Sequence, residues 1–591
     1  MNFFPGLRHI RMSSDIPAFS KLLLLCFLLI ISFPVLSQDI VYWRSESTTG
    51  DWDWGSSCDA SGSDGHWHYT TSGGGERKRP DCYSTANIIH FDNTAYLTMN
   101  LNSTDDFRVN QIQFDAGTGP RIINTTAGRT LRFWQNSGNA KIENRAPGTT
   151  QTFNVTINVD NASTWMEFNP VSGYMTINGP VINNSGNTIH VFGNQNVTFS
   201  DDISSTTGTP GFTVNGNARA VFSGTSKTYS GATTIKNGAT LQISSDQSLG
   251  DIVLESGGTL IIDAGITLTI TGSWTGGGSI ENNGKIILAG PSAFPGSSST
   301  ITAMNDLTIN KAAGVSLDKS LSIGGTLTLS SGRLDIGANI LTMSTASPAI
   351  SGSFSSSCMI VADGGGEVRK AGTSQAQASY TFPVGDNSST AEYSPISLTF
   401  SGGTYSGYSG VKVTNTKHPQ NKSITNYLNR FWTVSQSGFT GTVSVSATYV
   451  TADIVGTEAG ITSAEYTGSD PWIKYAVLGS NTLTASNVAA FTSADFSGVT
   501  NPTVSVSPGP VIEVCQNSPS PTLTATAAGA PTLTYLWSPG GATTSAISPS
   551  TATVGSTVYS VTITDGNGLT ATTSVTVTVN ALPSTSLIYH Q

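Results

Sequence analysis

The sequence predicts an all-β chain: a parallel β-helix followed by antiparallel β-sandwich modules, the last of them Ig-like. Three observations carry this reading. Apolar–polar–apolar triplets (LTI, VSL, LSI, LTL, LDI, LTM) run from Leu307 to Met343, and the four that start near Leu321, Leu327, Leu334 and Leu341 recur every 6 or 7 residues. The related motifs GATLQIS and GGTLIID set Leu241 and Leu260 about 19 residues apart, near the short end of the period range of solenoids. Beyond about residue 350 the short period gives way to longer alternating segments such as SPISLTF and TVSVSATYV.

The composition fits many short strands joined by turns. Of 591 residues 63 are Gly, 37% are hydrophobic and only 11% are charged. The apolar residues come as brief Val, Ile, Leu and Phe runs set in Ser, Thr, Gly and Asn. The net charge is −10, and the one basic cluster after the leader is Arg77-Lys78-Arg79. That leaves no footprint for a nucleic-acid partner.

Residues 1–37 read as a signal peptide. Lys21 precedes an apolar run from Leu22 to Ile31, shorter than the ~20 residues that span a bilayer. Cleavage is expected between Ser37 and Gln38, which gives a secreted chain with no stable membrane insertion. Cys58 and Cys82 flank a Gly/Ser-rich segment and are expected to close a disulfide, which stabilises a loop of that size by about 3 kcal/mol. Cys358 and Cys515 have no evident partner in the sequence.

Residues 38–86 hold Trp43, Trp52, Trp54 and Trp67, four of the ten Trp. They are expected to cap the solenoid, because an open end exposes both core and strand edges. The β-helix is expected over 87–349. Three sides of 6 or 7 residues, with Gly at sharp corners, give a triangular coil of about 19 to 20 residues. Hairpins of ordinary strand length do not fit so short a period. Residues 350–500 read as a β-sandwich and 501–580 as an Ig-like module, with Trp537 between sheets and Tyr559 at a corner. Residues 581–591 read as the start of a further module or a truncated tail.

Two stretches resemble known families. FSGTSKTYSGATTIKNGATLQI, residues 222–243, resembles the autotransporter-associated β-strand repeat of bacterial surface proteins. YLWSPGG to YSVTITDGNG, residues 535–568, resembles the PKD/Ig-like modules of Bacteroidetes-type surface proteins, and the YTFPVGD segment with RFWTV is similar to a domain found beside them. These resemblances imply export to the cell surface and leave the role open, because such modules are scaffolds.

Parallel β-helices also carry polysaccharide lyases and hydrolases, so paired carboxylates matter. Asp105-Asp106 and Asp201-Asp202 are adjacent, but strand neighbours point to opposite faces, which favours turn residues over a catalytic pair. Gly65-His66-Trp67-His68 departs from a Gly-His-Gly pectinase pattern at its third position. His66 and His68 share a strand face and are weak metal candidates, with Asp64 or His90 as further ligands; a polar face within an aromatic cap is the plainer reading. Trp52 and Trp54 share a face and could stack on sugar rings, or could plug the solenoid end. Asp565-Gly566-Asn567-Gly568 reads as a hairpin turn in preference to a calcium loop.

The sequence therefore leads to a non-catalytic, adhesin-like protein of the cell surface. No cofactor is expected, and the expected partners are extracellular glycans or surface proteins. A polysaccharide lyase or hydrolase on the same scaffold is the alternative, marked by an uneven line of acidic and basic residues along one coil face. A carbohydrate-binding protein centred on Trp52 and Trp54 is the third reading.

Overall fold

Period-2 burial dictates the coil. In Thr240–Ile243 and Thr259–Ile262 every second residue is fully buried, so each short strand turns one face inward and the other out. A single such strand cannot cover its apolar face, and stacking the next coil on top does so. Leu241 accordingly lies beside Leu260 and Ile243 beside Ile262 in a parallel ladder. About 12 such turns make a parallel β-solenoid.

The computed structural model describes residues 107–584, apart from 126–127, 136–137, 163, 345–348 and 373–378. It also describes the strand segments Ile40–Trp43, Asp51–Trp52, Trp67–His68, Ile88–Phe91 and Thr98–Leu101. The signal peptide, the tail from 585, Asp105-Asp106, Trp54, Cys58, Asp64, His66 and Cys82 lie outside the described residues, as do the side chains of Trp52 and His68. Among the described residues there is no α-helix, and no helix long and apolar enough to cross a membrane.

The coil is three-sided. Val315–Leu317, Leu321–Ile323 and Leu327–Ser331 occupy three different sheets, and Leu334–Asp335 returns to the first of them. One turn later Leu321 is matched by Leu341, and Leu307 is likewise matched by Leu327. Elsewhere the coil lengthens: Ile189 pairs with Phe212 and Ala140 with Met166, wider steps than the one from Leu241 to Leu260. The extra residues fall in longer strands, as in Thr156–Ala162, or in longer corners, so the sequence before residue 220 keeps no fixed period.

Like stacks on like in the core. Phe91 and Phe114 are stacked at 4.9 Å, and Phe212 meets Phe222 edge-on at 4.9 Å. Later rungs are mostly buried Leu and Ile, with Trp274, Phe294, Met304 and Met343 among them. Some corners admit only glycine. Gly276 has φ +129°, and a Cβ there would sit 1.8 Å from the Leu254 carbonyl oxygen.

Parallel pairing reaches beyond residue 349. Ile360 pairs with Val384 in the same sense as the earlier coils. Glu367–Ala371 is where the sense changes: one edge pairs in parallel with Ile340–Met343, the other antiparallel with Tyr405–Thr414. The ladder then continues antiparallel through Phe431–Phe439, Ser493–Thr500, Ile461–Tyr466 and Ile473–Val477. A second antiparallel sheet joins Tyr380–Phe382, Ile396–Ser401, Thr442–Thr448 and Thr482–Ala489. A single apolar core runs from Ile89 to Phe496, so this end of the solenoid is covered by continuing its own sheet.

Residues 503–580 have a separate core around Leu523, Trp537, Val561, Ile563, Val575 and Val577. Two small sheets enclose it, and Val511–Cys515 runs parallel to Thr570–Asn580. Trp537 is buried as expected, with its indole N–H donating to Thr544 O at 3.0 Å. Tyr559 is mid-strand opposite Val575 instead of at a corner.

Candidate functional site: the outer walls of the solenoid

The first wall, from Ile40–Trp43 to Trp274–Gly276, builds a polar column on its outer side. Phe91, Phe114 and Asn144 are in register on the inner side. Their sequence neighbours His90, Gln113 and Glu143 therefore line up outside, followed by Asn169. Asp115 stands at the edge of this column. His90 Nδ1 lies 3.0 Å from Asp115 Oδ2, and Gln113 Nε2 donates to Asp115 Oδ1 at 2.5 Å. Burial pushes the Asp115 carboxyl up, but those bonds and the charges of His90 and Arg145 outweigh it and hold it below the usual carboxylate range.

Glu143 is the centre of the column. Its carboxylate is 3% exposed and is clamped between Lys141 Nζ and Arg145 Nε. Lys141 lies beside Glu167 on the next coil, and Glu167 beside His190 on the one after. One coil face thus carries acidic and basic residues in alternation. Each carboxylate here has a hydrogen-bonding or cationic partner of its own, since Glu167 accepts from Asn139 Nδ2 at 3.4 Å. The chemistry this supports is multidentate hydrogen bonding, with charge already balanced in place.

An aromatic strip adjoins it. The His190 ring stacks on Phe192 at 5.5 Å and meets Trp165 at 5.0 Å. Asn215 Nδ2 lies 3.0 Å from His190 Nδ1 and donates to it when the ring is neutral. Burial, reinforced by the nearby Lys236 charge, lowers the His190 pKa to about 4, so the ring is neutral at ordinary pH. Among the described residues the buried Trp165 indole nitrogen has no hydrogen-bond partner.

The second wall carries an amide ladder. Asn154 Nδ2 donates to Asn124 Oδ1 and Asn178 Nδ2 to Asn154 Oδ1, both at 2.8 Å and both exposed. Further along, a groove of about 1020 Å³ opens between residues 300–305 and 319–324. Hydroxyls, amides and Lys319 line it together with Ile301, Met304, Ile323 and Met343, and among the described residues no carboxylate does.

The residues expected from sequence to matter fare unevenly. The Trp52 backbone pairs with Leu101 on the second wall, and the His68 backbone pairs antiparallel with Tyr42 at the first wall's edge. His90 is engaged with Asp115. Asp201 and Asp202 are turn residues: Asp201 accepts from Thr225 Oγ1, and Asp202 accepts from Thr228 N and Oγ1 on the next coil. Among the described residues no group of three or more His, Cys, Asp or Glu is placed to hold a metal ion. Cys358 and Cys515 are free thiols, the first buried and the second exposed.

Sequence reasoning missed the charged column because its members are irregularly spaced: the steps from His90 to Gln113, to Glu143 and to Asn169 are all unequal. It also missed a buried cluster beyond the solenoid. There Arg430, with no exposure, donates to Asp386 at 2.6 Å, to Asp453 at 2.7 Å and to Glu392. Compared with protein-family models, curated proteins and solved structures, the chain matches none.

Proposed function

We propose that this chain is a non-catalytic, secreted or cell-surface protein that binds extracellular partners along the outer walls of its solenoid. The observation that carries this is the repetition of hydrogen-bonding groups along the coil axis. The asparagine ladder through Asn124, Asn154 and Asn178 presents one polar group per coil, about 4.8 Å apart, and the column from His90 to Asn169 repeats at the same step with Gln113 and Glu143 covered. Such an array suits a long glycan or an extended surface protein, because many weak contacts add along its length. In this reading the antiparallel sheets within residues 350–500 are a β-sandwich and 501–580 an Ig-like PKD module, both acting as spacers. The resemblance of residues 222–243 to autotransporter-associated repeats agrees with display at a cell surface.

The test is a screen of the purified chain from Gln38 onward against polysaccharides and matrix proteins, recording binding and reducing-end release together. Saturable binding without release is the expected result. A second reading, a polysaccharide lyase or hydrolase, is favoured by the alternation of Glu143, Lys141, Glu167 and Arg145 on one face. Release of reducing ends that Glu143→Gln abolishes would establish it and overturn the first.

A further inference from the structure

The second wall contains one step that is not closed. Along it Thr240–Ile243, Thr259–Ile262 and the first part of Ser279–Leu288 are joined rung to rung, and residues 300–304 follow. On the same side of the coil Leu321–Ile323, Ile340–Met343 and Glu367–Ala371 are again joined rung to rung. Among the described residues no ladder links 300–304 to Leu321–Ile323, and the two runs belong to different sheets. The coil is pinned at one end of this gap. Gly324 N–H donates to Met304 O at 2.7 Å and Gly325 N–H to Asn305 O at 3.1 Å, after which Leu307 pairs with Leu327. From that fork the wall opens toward Thr300 and Ser320.

We propose that this opening is a strand-acceptor site, which takes an extended peptide segment of a partner protein by β-strand addition. The inference rests on the binding role above and names one class of partner for it. Two strand edges face the opening, and an edge presents N–H and C=O groups at the period of a strand. Only a ligand with donors and acceptors at that same period satisfies both edges, and an extended peptide is such a ligand. The side chains agree with a strand in the gap. Ile301, Met304, Ile323 and Met343 line its core side, and the exposed Thr302 and Ser322 stand on the outside. A guest alternating apolar and polar residues continues both surfaces, whereas a glycan leaves the apolar side uncovered. The volume of about 1020 Å³ admits a strand of about five residues, roughly 17 Å long.

The experiment uses the full chain from Gln38 and fluorescein-labelled synthetic peptides. The first probe is KSLSIGGT, which copies residues 319–326 and so carries the alternation of the strand bordering the gap. A panel of eight-residue Val/Thr-alternating peptides accompanies it. Saturable binding by fluorescence anisotropy is expected. N-methylation at either set of alternate residues should weaken it roughly tenfold per site, because one set faces each edge. Hydrogen exchange of amides 300–303 and 320–323 should slow when peptide is bound. Ser322→Pro, which removes an edge donor, should abolish binding; the exchange measurement stands if that variant does not fold. Absence of binding by every peptide, including the case in which a segment of this chain already fills the gap, overturns the proposal. So does binding indifferent to N-methylation. Adhesion in the polymer screen without peptide capture leaves the binding role standing and removes the acceptor site; peptide capture with a silent screen does the reverse.

Discussion

Asn567 Nδ2 donates to Ser423 Oγ at 3.1 Å, and Asn567 Oδ1 accepts the Lys422 N–H at 2.8 Å. The hairpin turn of the last module thus docks on the segment 145 residues earlier in sequence. Asn567 is fully buried, its carbonyl accepts the Trp472 N–H at 3.0 Å, and Leu569 packs with Trp472 and Val499. Asp565 shapes the turn by accepting the N–H groups of Asn567 and Leu569. The turn chemistry that reads as a possible calcium loop serves as a latch between two modules.

Asn567→Ala leaves the Lys422 N–H without its acceptor and costs about 1–3 kcal/mol of docking. Both modules keep their own cores, so far-UV circular dichroism should not change. The expected outcome is faster proteolytic cutting between residues 500 and 511 and a longer maximum dimension in X-ray scattering. Unchanged cutting would show that the modules are held together by something other than this turn.

The solenoid was legible because its signal is local and repeated. A Leu at Leu241 and another at Leu260 describe one rung, and the structure pairs those two residues. Sites on the outer walls were not legible, because they arise from register between coils of unequal length. Glu143 and Gln113 are neighbours in space yet a whole coil apart in sequence, and nothing around either marks the other. Arg430 is more extreme, since its carboxylates come from positions 386, 392 and 453. The triplets around the wall opening looked continuous because the break lies in pairing, which leaves no trace in alternation.

Arg430 is a test of buried charge. Asp386, Asp453 and Glu392 surround it, and Asn415 donates to Asp386 at 3.0 Å and to Glu392 at 3.2 Å. Burial raises the Glu392 carboxyl; the Arg430 charge opposes this, and Asp453 and Asp386 add to the rise. Arg430→Met strands the carboxylates and should destabilise the fold by about 3–5 kcal/mol near neutral pH. A carboxyl with a raised folded pKa binds its proton more tightly folded than unfolded, so falling pH favours the folded state. The deficit in melting temperature should therefore be smaller at pH 5 than at pH 8. A deficit that does not change with pH would contradict this account.

Two corner glycines separate conformation from space. Gly265 has φ +77° with nothing within 4 Å of where a Cβ would stand, so Gly265→Ala costs only the backbone strain of about 1–2 kcal/mol. Gly276 has φ +129°, and its added carbon would lie 1.8 Å from Leu254 O. Gly276→Ala should cost about 1–3 kcal/mol more, because a neighbouring coil must move. Urea melts of the two variants should rank in that order, and equal midpoints would refute the packing argument.

His190 predicts the direction of a pH effect. Its pKa falls from 6.5 to about 4 on folding, through burial and then the Lys236 charge. Between those values the unfolded chain accepts a proton that the folded chain refuses, so this residue's contribution to stability is present above pH 6.5 and is lost as pH falls toward 4. His190→Gln removes the ionisation. It also gives up the stacking on Trp165 and Phe192, so its melting temperature at pH 8 should be lower than that of the native chain. The discriminating quantity is the slope. From pH 6.5 to 4 the native chain should lose stability more steeply than His190→Gln, since every other titrating group is common to both. Parallel curves would mean that His190 becomes protonated in the folded chain as readily as in the unfolded one.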